Sequence, residues 1–385
     1  MARRLRVRNT QSGAVMPLVV EIDNGDGTFA ELGVASAAEA AAGENPNKAL
    51  TPSVASNLAS VLAAFTGDSG EGGVKGLVPA PAAGDAAAGK FLKADGAWAV
   101  PAHTIVPGGR LTLTTGMPVT SSDVTAAGTL YYTPHTHNII HLYSGSAWVE
   151  HVFTEPSLAL TLTVDKNYDV FIYNNAGTLT LELSAAWASD SSRTDALARQ
   201  DGIWVKEGAA TRRWIGTIRA SASNQTEDSK AKRFVWNAYN QVQRPLYKAA
   251  TTASWFANTS IWRRANDAAE QRIEWVNGSV QYCELNQLAT AIITSYNGEE
   301  NFAYSGIGLD DDTTPVPGWT LTSINNFNAT DVVVTRKAMH TEHRGHVGEG
   351  LHFAQALENS NSPSDPTFEG NGSVANAYIS GMVMA

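Results

Sequence analysis

Beyond residue 105, apolar and polar positions alternate along much of the chain, the period-two pattern of half-buried strands. Leu111–Thr114 alternates, and Ile139–Tyr143 turns through Ser144-Gly145-Ser146 into Trp148–Phe153. Leu158–Val164 follows, and then Tyr168–Tyr173 and Thr178–Leu183 flank Asn174-Asn175-Ala176-Gly177. Trp204–Lys206 and Arg213–Ile218 add two short strands, and the spacing suits a sandwich or small barrel. Further on, Arg272–Val276 and Ser279–Cys283 flank Asn277-Gly278, the short-range signature of a two-residue hairpin. Strands are also expected at Ala289–Ser295, Asn301–Gly306, Thr320–Ser323, Asp331–Thr335, Leu351–Leu357 and Ala377–Met384. Near the start, Ala14–Ile22 and Thr28–Leu32 flank Asp23-Asn24-Gly25-Asp26-Gly27, which predicts another hairpin. That Asp/Asn/Gly run lacks the bidentate Glu of a calcium loop, so the turn is favoured.

One segment breaks this pattern. Leu50, Val54, Leu58, Val61, Leu62 and Phe65 recur at steps of three and four, and Thr51-Pro52 supplies a helix start. The stripe predicts a helix whose narrow apolar seam has no partner in the Ala-rich, Gly-rich and Pro-rich segments around it. Packing against the same helix of sibling chains buries it, with packing on its own chain as the alternative. The chain then divides into a β segment at 1–34, a helix and linker at 35–104, a middle β domain at 105–248 and a C-terminal β-sandwich at 249–385. The expected fold class is mainly β: an N-terminal hairpin and a short α-helical oligomerisation segment, then two antiparallel β-sandwich or jelly-roll-like domains.

Composition narrows the function. Of 385 residues, 27 are Lys or Arg and 37 are Asp or Glu, a formal charge of −10. From Thr251 onward six Lys or Arg stand against fifteen Asp or Glu, so nearly all the excess lies there. This balance argues against a general nucleic-acid binder, which needs a basic face. No apolar run is long enough to cross a membrane, and the basic start at Arg3, Arg4, Arg6 and Arg8 has no apolar stretch behind it. Cys283 is the single cysteine, which excludes an internal disulfide and any multi-cysteine metal cluster.

The stretch Gly73-Val74-Lys75-Gly76-Leu77-Val78-Pro79-Ala80-Pro81, with Gly84-Asp85, Lys90-Phe91-Leu92 and Asp95-Gly96-Ala97-Trp98, resembles a linker repeated in tail fibre proteins of tailed bacteriophages. Asn47–Pro52 does too. Leu130–Pro134, Tyr168–Phe171, Trp214–Ile218 and Phe234–Asn240 resemble a domain of phage virion proteins, so the likeness covers about residues 45–245. It implies a virion fibre, usually a trimer. The N-terminal region would contact other virion proteins, and the C-terminal region would face outward to a host-surface glycan or protein. No family resemblance is read in residues 249–385, where binding specificity would lie.

Candidate chemistry is sparse. There is no phosphate loop, no GxSxG elbow and no HExxH, so no catalytic residue and no cofactor is assigned. Cys283 in an alternating strand reads as a sheet-facing thiol rather than a nucleophile. His135 and His137 fall on one side of an extended chain, a weak metal candidate if three chains shared an axis; an ordinary loop or strand edge is favoured. His340, His343 and His346, with His352 beyond, read as a polar loop, with receptor or metal contact as the alternative. Asp310, Asp311 and Asp312 read as a solvated turn before an ion site. Trp255, Trp262, Trp275 and Trp319 are weighed as sugar-stacking surfaces against core, with core favoured and Trp319 the best placed for access. Trp319, Asp310, Asp311, Asp312, His340 and His343 are therefore the candidate receptor contacts.

The function expected is a structural subunit of a phage fibre or spike, located in the virion, without enzymatic activity. A head-decorating fibre that binds no receptor, a glycan-degrading tail spike and a cellular adhesin remain the alternatives. The spike requires two carboxylates at a working separation in a groove.

Overall fold

A computed structural model of the chain describes residues 5–9, 18–23, 28–31, 33–34, 48–49, 78, 81–83, 85–86 and 90–99, then 106–257, 259–296, 300–318, 320–325, 332–360, 366–371 and 377–385. The chain divides into two compact units, Met1–Thr104 and Ile105–Ala385. The described residues are mainly β and contain no α-helix; a single 3-10 turn spans Ala265–Asp267. The predicted helix, with Leu50, Val54, Leu58, Val61, Leu62 and Phe65, lies outside the described residues, as does Trp319.

In the first unit Leu18–Asp23 pairs with Leu5–Asn9 on one side and Phe29–Glu31 on the other. Among the described linker residues a small hairpin forms. Phe91–Leu92 pairs with Trp98–Ala99 around a turn in which Asp95 Oδ1 accepts the Ala97 amide at 3.0 Å. Asp85 holds the approach to this turn by accepting from the Ala82 amide at 2.7 Å and from Lys90 Nζ at 2.6 Å.

In the second unit the alternating runs become the expected strands, and most of the pairings follow. Asn167–Asn175 pairs with Thr178–Leu183, and Ile139–Tyr143 pairs with Trp148–Val152. Arg272–Asn277 and Gln281–Tyr296 do not form the expected hairpin. The first pairs with Gly350–Ser360, and the second pairs along its whole length with Val332–Val347. They belong to different sheets, one of fourteen strands and one of six. Asn277-Gly278 is therefore a crossover between layers. The reason lies in packing: Gly278 sits so close to Trp236 that a Cβ there would stand 2.4 Å from the indole ring. Between the two layers lies a core that includes Ile273, Trp275, Leu285, Ile307, Phe368 and Ile379.

A second core, including Leu130, Ile140, Val170, Ile172 and Ile218, fills the part of the unit before residue 236. The position of the expected 248/249 division lies within the unit Ile105–Ala385, and Leu246 on its N-terminal side packs in the same core as Ile273 and Ile379. Lys232–Arg233 pairs in parallel with Glu274-Trp275, and Gln243–Ala249 pairs with Tyr378–Met384. A third, smaller cluster of Phe171, Trp214, Trp236 and Val276 joins residues from both sides.

The polar loop expected around His340–His346 is a strand, Val332–Val347. His340, His343 and His346 pair with Leu288, Leu285 and Tyr282. Period two replaces period three, so His343 shares the side of buried Met339 and Thr341 while His340 and His346 project to the exposed side. The polarity of the exposed face hid a strand whose other face buries Met339, Thr341 and Val347.

Candidate binding site

A cleft of about 420 Å³ opens in the second unit beside the small joining cluster. Trp214 and Trp236 form its floor, both nearly fully buried, with ring centroids 5.3 Å apart. Half-buried Trp204 and Tyr239 stand along its walls with Gln241, Ser279 and Gln281. A neighbouring pocket of about 320 Å³ shares Trp204, Trp214 and Ser279 and continues to Arg193 and Glu349. Two accessible aromatic faces, with amide, hydroxyl and guanidinium groups around them, match a flat ligand that carries many polar groups.

The Trp214 side of the floor is held by one buried carboxylate. Asp169 is fully buried and accepts from Trp214 Nε1 at 2.9 Å, Trp187 Nε1 at 3.1 Å, Thr217 Oγ1 at 2.8 Å and Arg193 Nε at 2.8 Å. Burial pushes the Asp169 carboxyl above its ordinary range, against the pull of the Arg193 guanidinium and the donors around it. Arg193 lies over Trp187, 4.4 Å from the ring centroid, and donates to the Gly278 carbonyl at 2.6 Å and to Glu349. The same guanidinium thus ties the floor strands to the crossover and to the turn before Gly350. Trp214 and Trp187 each spend their one N–H on Asp169, which fixes both rings.

The Trp204 wall follows from local sequence. Gln200-Asp201-Gly202-Ile203 makes a two-residue turn in which Asp201 has φ 50° and Gly202 φ 83°. The turn sets Leu197–Gln200 against Ile203–Lys206 with Arg199 opposite Trp204. The Arg199 guanidinium then lies 3.7 Å from the Trp204 ring centroid and donates to the Gly202 carbonyl.

The residues singled out in the sequence lie elsewhere, and the structure does not bring them together. His135 and His137 occupy a bend after the Thr129–Pro134 strand rather than an extended segment, and both are exposed. His137 Nδ1 accepts the Ile139 amide at 3.2 Å, so this nitrogen is already engaged. Among the described residues, no group of three or more His, Cys, Asp or Glu side chains is placed to hold a metal.

The three aspartates turn to three different partners. Asp310 accepts from the Phe353 amide and contacts His352 Nδ1, both at 2.8 Å. Asp311 accepts from the amides of Thr313 at 2.7 Å and Thr314 at 2.9 Å, and Asp312 pairs with Arg272. Those local bonds to Thr313 and Thr314 hold the Asp311 carboxyl below its ordinary range.

Trp275 is fully buried, and Trp255 is buried with its Nε1 donating to Glu358 at 2.5 Å. Trp262 is half-buried, 6.0 Å from Tyr304. Cys283 is fully buried, and that burial, with Asp310 nearby, pushes its thiol up to about 11.

The cleft residues were not among the sequence candidates. The strands that carry Trp204 and Trp214 were expected, but nothing in their spacing shows that Trp236 and Ser279 meet them. The one local signal was Asp201-Gly202, which predicts the hairpin and so the Arg199–Trp204 pair.

No protein-family model matches the chain, and no curated protein matches it.

Proposed function

We propose that this protein is a structural subunit of a bacteriophage fibre or spike that binds a host-surface saccharide in the cleft of Trp204 and Tyr239. In this reading the N-terminal region attaches to the virion. The Leu50–Phe65 seam gathers copies, most simply three, and the two β layers of the C-terminal part form a sandwich of the jelly-roll kind. The order of the Gly73–Trp98 linker motifs supports the fibre assignment.

The observation that carries the binding role is the cleft itself: two half-buried aromatic rings, Trp204 and Tyr239, beside a floor of Trp214 and Trp236 in which Asp169 holds the Trp214 N–H. Sugar rings stack on such faces, and Gln241, Gln281 and Ser279 supply amide and hydroxyl partners for their hydroxyls. Binding rather than cleavage is favoured by the lining. Glu349 is the one carboxylate among its described residues, and Arg193 holds it. Hydrolysis of a glycosidic bond by the common route uses two. Several copies on one particle raise a weak single-site affinity through effective concentration.

The test is an array of bacterial glycans probed with the full chain and with Trp204→Ala, both first shown to be folded by thermal melting. The expected result is binding of at least one glycan, weakened about tenfold or more by the substitution, an amount in keeping with one lost aromatic anchor. No binding to any glycan, or equal binding by both proteins, overturns the saccharide role. Imaging of particles with this subunit labelled tests the fibre assignment separately.

A further inference from the structure

The cleft is built for a particular charge. Arg193, Arg199 and Arg213 line it or its neighbour, against the single carboxylate of Glu349. This local excess stands out in a chain of formal charge −10. The three guanidiniums differ in what they have left to give. Arg193 is spent on Asp169, Glu349 and the Gly278 carbonyl. Arg213 is buried at the back, where it donates to the His141 carbonyl at 2.7 Å and lies 5.0 Å from the Tyr239 ring centroid.

Arg199 is the available one. It is exposed at the rim, and the Gly202 carbonyl takes a bond from Nη1. No carboxylate pairs with it among the described residues. The nearest acid in sequence, Asp201, is engaged by Trp148 Nε1 and Gln200 Nε2, each at 3.0 Å. Stacking on Trp204 holds the Arg199 guanidinium in place, so little side-chain entropy remains to be lost when an anion meets its free edge. A guanidinium edge matches the two oxygens of a carboxylate or phosphate.

Resting on the saccharide reading above, we propose that the cleft selects saccharides bearing an anionic group, a carboxylate or a phosphate. A sugar ring lies against Trp204 or Tyr239, and the anion meets Arg199. A neutral glycan forms the stacking contact and forgoes the ionic one.

Matched pairs test this with the full chain. Oligogalacturonate is compared with its methyl ester, which keeps the rings and removes the charge; sialyllactose with lactose; and a phosphorylated mannotriose with mannotriose. These probes are added to the glycan array, and affinities are measured by titration for the protein and for Arg199→Gln. The expected result is that the acidic member of at least one pair binds tenfold or more tightly than its neutral partner. Raising the salt narrows that gap, and Arg199→Gln closes it by weakening the acidic member more than the neutral one. Which pair responds separates carboxylate from phosphate.

Glycan binding that is lost in Trp204→Ala but shows no acidic preference overturns the charge selection and leaves the saccharide role standing. An acidic preference that survives Arg199→Gln overturns the role of Arg199. Absence of binding to every probe overturns both.

Discussion

Trp214 Nε1 donates to Asp169 Oδ1 at 2.9 Å in a fully buried setting, so one of the two floor indoles of the cleft is oriented by a carboxylate outside the cleft lining. Thr217, Trp187 and Arg193 converge on the same group. Removal of Asp169 leaves the largely buried Arg193 guanidinium without its main counter-charge and two indole N–H groups without acceptors. Asp169→Ala is therefore expected to cost about 3–5 kcal/mol, the usual result of breaking a buried pair from one side. Urea unfolding at neutral pH measures this, and Thr217→Ala, which removes a single hydroxyl bond, is expected to cost about 1 kcal/mol.

The crossover at Gly278 makes a steric prediction. A Cβ would stand 2.4 Å from Trp236 Cζ3 and 2.6 Å from Thr217 Oγ1. Gly278→Ala is expected to destabilise by about 1–3 kcal/mol, as overpacking of a filled interior does. A neutral result in thermal melting contradicts this close packing of Gly278 against Trp236 and Thr217.

Cys283 is expected to be silent in the folded protein. Its full burial and raised thiol, about 11, leave little accessible thiolate at pH 8. A thiol reagent is expected to label nothing under native conditions over an hour and one group per chain in concentrated guanidinium.

Glu155 predicts a pH effect of definite sign. Burial raises its carboxyl, but the hydroxyls of Thr115 and Thr133 and the amide of Gly116 outweigh it and leave the group below its ordinary 4.5. The folded state therefore favours the ionised form. Its contribution is present above pH 4.5 and is lost as pH falls through the depressed folded value. Glu155→Gln is expected to lower stability at pH 7 by less than about 1 kcal/mol, because solvent screens the site. The difference from the parent protein is expected to shrink as pH falls below 4.5, which paired urea titrations along that range check.

Assembly is tested by mass. The seam Leu50–Phe65 leads to the expectation that the full chain scatters light as a multiple of 40.9 kDa at micromolar concentration. Deletion of residues 1–100 is expected to shift it toward the monomer. A monomeric full chain contradicts the fibre proposal.

Alternation along the chain by itself determined the mainly β class and the position of most strands beyond residue 105. It also determined local pairings such as Tyr168–Tyr173 with Thr178–Leu183, because side chains that must alternate between core and solvent write a period of two into the sequence. It misled where local and global demands parted. Asn277-Gly278 is a strong turn signal, but Trp236 fills the space beside it, and the two strands join separate layers. The histidines at 340, 343 and 346 look like a loop because one face of their strand is wet.

Tertiary structure alone decided the cleft. Trp204, Trp214, Trp236 and Ser279 come from four separate stretches, and no local periodicity records which strands become neighbours in space. That choice follows from burying two cores and the small cluster of Phe171, Trp214, Trp236 and Val276 at once. Contacts between distant segments are selected by the free energy of the whole packed interior, to which each short stretch of sequence contributes only a part.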